Sequence, residues 1–262
     1  MNQFIIINDL NFKYAENGFK LENINLELEK GKIISLIGPN GAGKTTIGKI
    51  LSGIIDNYTG RIFIEGKDLK KLNFKEKARK IAYVPQVFNT IFDFEIKEIL
   101  LMGRRNNSNG IGFMKKIDID IVEETMRDFG LYEKKNKKFS TLSGGEKRMV
   151  LIARAICQGA DFIILDEPVA YLDLHHYVDL INILLKLNKS GKTIFLILHD
   201  INMASEISDE IILLNRGKII KKDIPENIIN EDIIKNFYGI KNFIIKNNPV
   251  TFRPNVIIMP HK

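Results

Sequence analysis

A buried-strand pattern that stops at a glycine-rich turn constrains this chain more than any other feature. Ile33-Ile34-Ser35-Leu36-Ile37 reads as a buried strand, and Gly38-Pro39-Asn40-Gly41-Ala42-Gly43-Lys44-Thr45 follows with the spacing G-x-x-x-x-G-K-[ST]. Three glycines let the backbone fold into a concave nest whose N–H groups point inward at a polyphosphate. Lys44 opens a predicted helix, so its ammonium and the positive helix end act on the same phosphates. Thr45 can offer its hydroxyl to Mg²⁺, and Thr46 can reach the α-phosphate. A plain glycine-rich turn from strand to helix is the alternative, and it leaves the spacing unexplained. The stretch is read as a nucleoside triphosphate site.

Around this turn, strands and helices alternate. Residues 4–7 and 11–14 are predicted as two short strands joined by Asn8-Asp9. Leu21 to Leu28 alternates apolar with polar, which places antiparallel strands beside the turn. The helix from Lys44 is expected to end near Gly53. Strands follow at Arg61 to Glu65 and Ile81 to Val84, with a basic helical stretch over residues 74–80 between them. The segment from 87 to 158 reads as mainly helical, with an Asn/Gly-rich loop at 106–112. Beyond it, Phe162 to Leu165 and Thr193 to Leu198 are apolar runs of buried parallel-strand type. Between those runs Leu174, Val178, Ile181 and Leu185 repeat at helical spacing, and Gly191 closes the helix.

The totals narrow the class of protein. The chain has 262 residues, enough for one large domain or two intimate subdomains. A net charge of +7 fits a nucleic-acid or anionic-membrane partner, or diffuse solvated charge, and no compact Lys/Arg run favours the former. No apolar run approaches the ~20 residues needed to span a bilayer. The start, Met1-Asn-Gln-Phe, lacks the basic and long apolar regions of a signal peptide. A single cysteine excludes an internal disulfide and fits a reducing compartment, so a cytoplasmic location is expected.

Phe162-Ile-Ile-Leu-Asp166-Glu167-Pro168 is an apolar strand ending in two adjacent carboxylates. A carboxylate at a strand end beside a phosphate-binding turn suits a Mg²⁺ shell. Neighbours on an extended backbone point apart, so Asp166 can face the metal while Glu167 serves the attacking water as general base.

With Leu142-Ser143-Gly144-Gly145-Glu146 the chain resembles the ATP-binding-cassette (ABC) ATPases, whose signature sequence this is. The motifs stand in the family's order over nearly the whole length. The resemblance implies an α/β fold: a P-loop NTPase core with a parallel sheet, an N-terminal antiparallel β subdomain and a helical insertion subdomain. It implies an ATP-binding core in two parts (1–86 and 159–238), a helical subdomain carrying the signature (87–158) and a C-terminal extension (239–262). Tyr14 stands where the family stacks an aromatic on adenine, with a core aromatic as the other reading. Gln86 matches the glutamine that senses Mg²⁺ and leads into the membrane-partner contact, and Asp173 matches the inter-subunit aspartate. His199 matches the histidine that contacts the γ-phosphate. His175, His176 and His261 receive no role. Thr45, Gln86 and Asp166 are then the metal residues, and Gly38 to Thr46 the cradle for ATP.

The signature has physics of its own. Ser143 can cap the helix that begins there, and Gly144 and Gly145 expose its N–H groups as a second anion-binding helix end. In the family this end closes on the γ-phosphate bound to the other subunit, so a homodimer sandwiches two ATPs. The chain departs from the family at Arg148, where glutamine is common, and at Val169-Ala170, where Thr/Ser is usual. Cys157 reads as packing. Ile99 to Arg104, His199 to Ala204 and the tail Pro249 to Pro260 resemble the importers of ferric siderophores, cobalamin and haem; molybdate or tungstate importers are also similar. That implies a polytopic permease, indirectly a substrate-binding protein, a location on the inner face of the membrane, and no nucleic acid. In the family, the groove after Gln86 receives a permease helix; Phe88, Ile91, Phe92, Phe94 and Ile96 line that stretch here, with a packed subdomain core as the alternative. A soluble ABC ATPase acting on nucleic acid or ribosomes is the reading of another class, favoured only by the charge.

Overall fold

The structure, a computed structural model, describes residues 3–15, 18–87, 93–105 and 114–259. The N-terminal part runs β1 (Gln3–Lys13), β2 (Lys20–Glu29), β3 (Ile33–Ile37), α1 (Lys44–Leu51), β4 (Thr59–Ile64) and β5 (Lys67–Asp68). The middle runs α2 (Phe74–Lys80), β6 (Ile81–Val84), α3 (Ile96–Arg104), α4 (Lys116–Asp128), α5 (Gly144–Cys157), β7 (Phe162–Asp166) and α6 (Leu174–Lys189). The last part runs β8 (Thr193–Leu198), α7 (Ile201–Ile207), β9 (Glu210–Asn215) and β10 (Lys218–Asp223). It ends with α8 (Pro225–Ile228), α9 (Glu231–Asn236), β11 (Phe243–Asn247) and β12 (Pro254–Ile258). These elements gather into two compact units, residues 1–70 with 195–262, and residues 71–194; the segment 87–158 falls within the second.

In the first unit an antiparallel sheet has the order β2-β1-β4-β5. Leu21, Ile24, Leu26 and Leu28 of β2 are buried and alternate with exposed or half-buried positions, as a sheet with one solvated face requires. Residues 4–7 and 11–14 do not form two strands: β1 is continuous through Asn8-Asp9. Its register shifts there against both neighbours, and Asp9 takes φ 51°. Side-chain amides replace the lost ladder bonds, Asn25 accepting from the Asp9 N–H (2.9 Å) and Asn11 from the Asn23 N–H (2.9 Å). A turn-forming pair has been absorbed as a β-bulge.

β3 lies between β9, which runs parallel to it, and β8. All five side chains of β3 and all six of β8 are buried, the composition of strands covered on both faces. The one polar side chain of β3, Ser35, shares a 2.6 Å hydrogen bond with Ser208. The C-terminal hairpin β11–β12 is tied to α7: Asn202 donates to the Val256 carbonyl (3.0 Å) and accepts from the Val256 N–H (2.8 Å). Ser205 donates to the Pro254 carbonyl (2.6 Å), while Glu206 accepts from Asn248, Thr251 and Asn255. The C-terminal extension is thereby anchored by polar contacts.

In the second unit β6 and β7 pair in parallel, with Ile81 opposite Phe162 and Val84 opposite Leu165. Arg104 joins three helices, donating to Asp118 of α4 (2.9 Å) and to the Cys157 carbonyl of α5 (2.6 Å). Cys157 is fully buried, and burial pushes its thiol up to about 11, consistent with packing. The segment after Gln86 is hydrogen-bonded to the strip preceding the signature, Ile96 N–H to Lys137 and Phe139 N–H to Phe94. Ile96 is buried and Phe94 half-buried, whereas Phe88, Ile91 and Phe92, like the 106–112 loop and His261, lie outside the described residues.

α6 forms where its periodicity places it, and Gly191 beyond its end has φ 90°. The buried face is not the stripe that marks the period, however. Leu180, Ile183 and Leu184 are buried, while Leu174, Val178 and Leu185 are exposed at 78%, 47% and 38%. The helix carries apolar residues on two faces, and only one meets the core. Among the described residues no helix is long and apolar enough to cross a membrane. The two faces separate in a denaturation experiment. Leu184→Ala should cost about 2–5 kcal/mol, the range for a large-to-small change in a core, and Leu185→Ala less than about 1 kcal/mol. Equal shifts in urea midpoint would contradict this division.

Candidate functional site

The glycine-rich turn belongs to the first unit. β3 ends at Ile37 and α1 starts at Lys44, so the glycine-rich turn is held between a fully buried strand and a helix N-terminus. Gly38 approaches β9 so closely that a Cβ there would lie 2.0 Å from the Leu214 carbonyl oxygen. Gly43 takes φ 107°, and a Cβ on it would strike the Phe19 ring at 2.5 Å. Gly43 is also the N-cap of α1 and gives it no side-chain cap, which leaves the first N–H groups of the helix to a ligand. Lys44 is 6% exposed, and its ammonium donates to the carbonyls of Gly38 (2.7 Å) and Pro39 (3.1 Å). Those contacts fold the cation back over the cradle. Pro39, Asn40 and Gly41 are exposed, Ala42 and Thr46 buried, and Thr45 half-buried.

Tyr14 is half-buried at the end of β1 and meets Phe12 edge-on, ring centroids 4.7 Å apart. Phe19 lies 6.3 Å from Tyr14 and against Gly43, so an aromatic group adjoins the cradle. Phe19 escaped the sequence reading because it stands five residues beyond Tyr14 with no motif of its own. His199 is exposed just past β8, and the following Asp200 caps α7 by accepting from the N–H groups of Asn202 (2.8 Å) and Met203 (3.1 Å).

The paired carboxylates lie in the second unit. The register that sets Val84 opposite Leu165 brings Gln86 and Glu167, two residues further along each strand, to the same edge. There Gln86 Nε2 donates to Glu167 Oε2 at 2.6 Å. Asp166 is fully buried and accepts from the Tyr83 hydroxyl at 3.3 Å; Glu167 is half-exposed. Glu167 adopts φ 49°, a left-handed backbone that non-glycine residues adopt at a cost of roughly 1–3 kcal/mol. Tyr83 is a further contact that the sequence carried only as the start of Tyr83-Val-Pro-Gln86.

Ser143 caps α5: its hydroxyl accepts from the Glu146 N–H (3.2 Å), and Glu146 accepts in return from the Ser143 N–H (2.9 Å). Lys134 donates to the other Glu146 oxygen at 2.7 Å. Together the Lys134 ammonium and the Ser143 N–H hold the Glu146 carboxyl down to about 2. Gly144 is exposed and Gly145 buried, both beside Tyr171, which has φ 68°. Asp173 is exposed and caps α6, accepting from the N–H and the ring Nδ1 of His176 at 2.9 Å each. These bonds, the backbone one first, hold its carboxyl below the usual range.

Arg148 is 4% exposed. It donates to the carbonyls of Pro85 (2.5 Å), Asp166 and Pro168 (3.3 Å), and burial lowers its guanidinium to about 10, still a cation at neutral pH.

The arrangement has counterparts in known proteins. The profile of the ABC transporter family matches residues 21–170. The iron(3+)-hydroxamate import ATP-binding protein of Bacillus subtilis is 34% identical over 89% of this chain and 87% of its own length. The ferric enterobactin transport ATP-binding protein of Escherichia coli is 32% identical over 90% and 87%. The hemin import ATP-binding protein of Hahella chejuensis is 33% identical over 91% and 93%. Among solved structures, one named as an inward-facing ABC transporter of metal-chelate type superposes with TM-score 0.84 at 26% identity, covering 99% of this chain and 98% of its own. A cassette captured as a dimer with ADP and phosphate superposes with TM-score 0.74 at 28% identity, covering 84% and 98%.

The capping box is testable through pH. A carboxyl lowered to about 2 on folding contributes stability that is complete above its ordinary value near 4.5 and is lost as pH falls toward 2. The stability difference between the parent and Glu146→Gln should therefore be constant above pH 5 and shrink from pH 4.5 downward. Urea melts at pH 6 and pH 3 giving the same difference would count against the assigned contacts.

Proposed function

Since the chain belongs to the ABC transporter family, we propose that it is the ATP-hydrolysing subunit of an importer for metal chelates of the ferric siderophore, haem or cobalamin type. One observation carries the catalytic part: Gln86 holds the Glu167 carboxylate at 2.6 Å where two parallel strands end together. The names of the relatives, which import iron hydroxamate, enterobactin and hemin, carry the cargo class. A manganese transport ATP-binding protein of Bacillus subtilis, 34% identical over 84% of this chain, keeps a bare metal ion as the second reading.

In this proposal Gly38 to Thr46 wrap the triphosphate, Lys44 turns from the Gly38 and Pro39 carbonyls to the β- and γ-phosphates, and Tyr14 stacks on the adenine. The family resemblance gives Thr45, Asp166 and Gln86 to Mg²⁺, an ion usually held through one or two carboxylates plus substrate phosphates rather than by a protein cage. Among the described residues no group of three or more His, Cys, Asp or Glu side chains could form such a cage. Bound there, Mg²⁺ would neutralise charge on the phosphate oxygens. Glu167 takes the proton of the attacking water, Gln86 orients that carboxylate, and His199 contacts the γ-phosphate. Ser143, Gly144 and Gly145 bind the γ-phosphate held by a second copy, with Asp173 at the junction. The dimer sits on the inner face of the membrane against a polytopic permease fed by a substrate-binding protein.

Cells lacking this chain should lose uptake of iron delivered as siderophore or haem. The parent gene should restore uptake and Lys44→Ala should not. Restored manganese uptake with unchanged chelate uptake would overturn the cargo assignment. In vitro, Lys44→Ala should abolish tight ATP binding at an unaltered melting temperature, read by nucleotide titration. Asp166→Asn should weaken binding in Mg²⁺ while leaving metal-free binding close to the parent.

A further inference from the structure

Arg148 occupies a position where the family commonly has glutamine, and its contacts are unusual for a buried cation. The described contacts of its guanidinium are hydrogen bonds to three main-chain carbonyls, and none is to a carboxylate. Burial of a charge is costly unless its donors are satisfied, so the choice of acceptors is informative. Asp166 and Pro168 are the residues on either side of Glu167. Pro85 is the residue before Gln86. One planar fork thus grips the backbone around both members of the Gln86–Glu167 pair.

The backbone it grips is strained. Glu167 has φ 49°, and a non-glycine residue stays in that region only when its surroundings over-determine it. The following Pro168 lacks an N–H, so it cannot donate to hold this turn. Ala170 donates to the Glu167 carbonyl at 3.2 Å, which closes the turn from one side. Arg148 closes it from the other, through the Asp166 carbonyl just before the strained residue and the Pro168 carbonyl one peptide beyond it. Arg148 also sits one turn into α5, two residues beyond the capping-box Glu146, so the same side chain joins the signature helix to the carboxylate strand.

We infer that Arg148 is a positioning residue for ATP hydrolysis: it holds Glu167 and Gln86 in register through the carbonyls of Pro85, Asp166 and Pro168. This rests on Glu167 acting as the general base. Geometry explains why arginine differs from the family's glutamine. A guanidinium presents donors from three nitrogens in a rigid plane, whereas a glutamine amide presents two hydrogens from one nitrogen. Glutamine here can reach fewer of the three acceptors, and lysine keeps the charge but loses the fork.

The test uses the full-length chain with Arg148→Gln and Arg148→Lys, each also combined with Glu167→Gln. Misplacing a catalytic group by about 1 Å can cost on the order of 100-fold. Both single variants should lower kcat roughly 10- to 100-fold, with metal-free ATP affinity close to the parent and any fall in melting temperature out of proportion to the loss of rate. In the Glu167→Gln background neither should lower the residual rate further, because the group being positioned is already gone. Parental kcat in both single variants would overturn the inference, while leaving Glu167 as the base. So would a proportional fall of kcat, ATP affinity and melting temperature together, which marks a purely structural arginine. Glu167→Gln hydrolysing at the parental rate would remove the premise itself, and the single-variant data would then show which of the two had failed. If the glutamine variant does not fold, the lysine variant reads the same quantities.

Discussion

Strands buried on both faces can carry chemistry only at their ends. β3, β7 and β8 expose none of their side chains, so apart from the buried Ser35 and Thr193 the polar groups that they position appear where they stop. The glycine-rich turn follows β3, Asp166 closes β7 and Glu167 follows it, and His199 comes directly after β8. Ligands in open α/β folds gather outside the carboxyl ends of strands for this reason. The parallel register of β6 and β7 then does what no single strand can, setting Gln86 and Glu167 at one edge within hydrogen-bond reach.

The two helix N-termini that the proposed function gives to phosphate are prepared in opposite ways. α1 starts from Gly43 with no side-chain cap on its first N–H groups. α5 starts from Ser143 with a complete capping box, stiffened by Lys134 on Glu146. In the proposed cycle the first end holds nucleotide within its own chain and must stay open. The second meets a phosphate carried by another copy, so it is built as a rigid, pre-shaped surface.

Much of this was legible in the sequence. The turn after β3 and the carboxylates after β7 stand out because apolar runs ending in polar residues are local patterns. The helix cap at Ser143 was visible as Ser-x-x-Glu. What was not legible depended on register or packing. Asn8-Asp9 looked like a break between strands and is a bulge, because Asn11 and Asn25 supply the missing bonds from the same sheet. The period of α6 was correct, but the repeat does not mark the core face: Leu180 and Leu184 are buried while Leu174 and Val178 are exposed. Phe19 against Gly43 and Lys134 on Glu146 carry no motif, and Tyr83 on Asp166 carried no role; each is found through its contact alone. Arg148 was visible as a departure from the family, and its three carbonyl partners explain how the site accommodates it.

The central claim is that two copies of this chain close on ATP and that Glu167 ends that closed state by activating water. Size-exclusion chromatography of Glu167→Gln measures it most directly. With hydrolysis blocked, the account requires a shift from monomer to dimer in Mg²⁺-ATP, absent with ADP and abolished when Ser143→Arg is added. A Glu167→Gln protein that stays monomeric with bound ATP, or that dimerises equally in ADP, would contradict it.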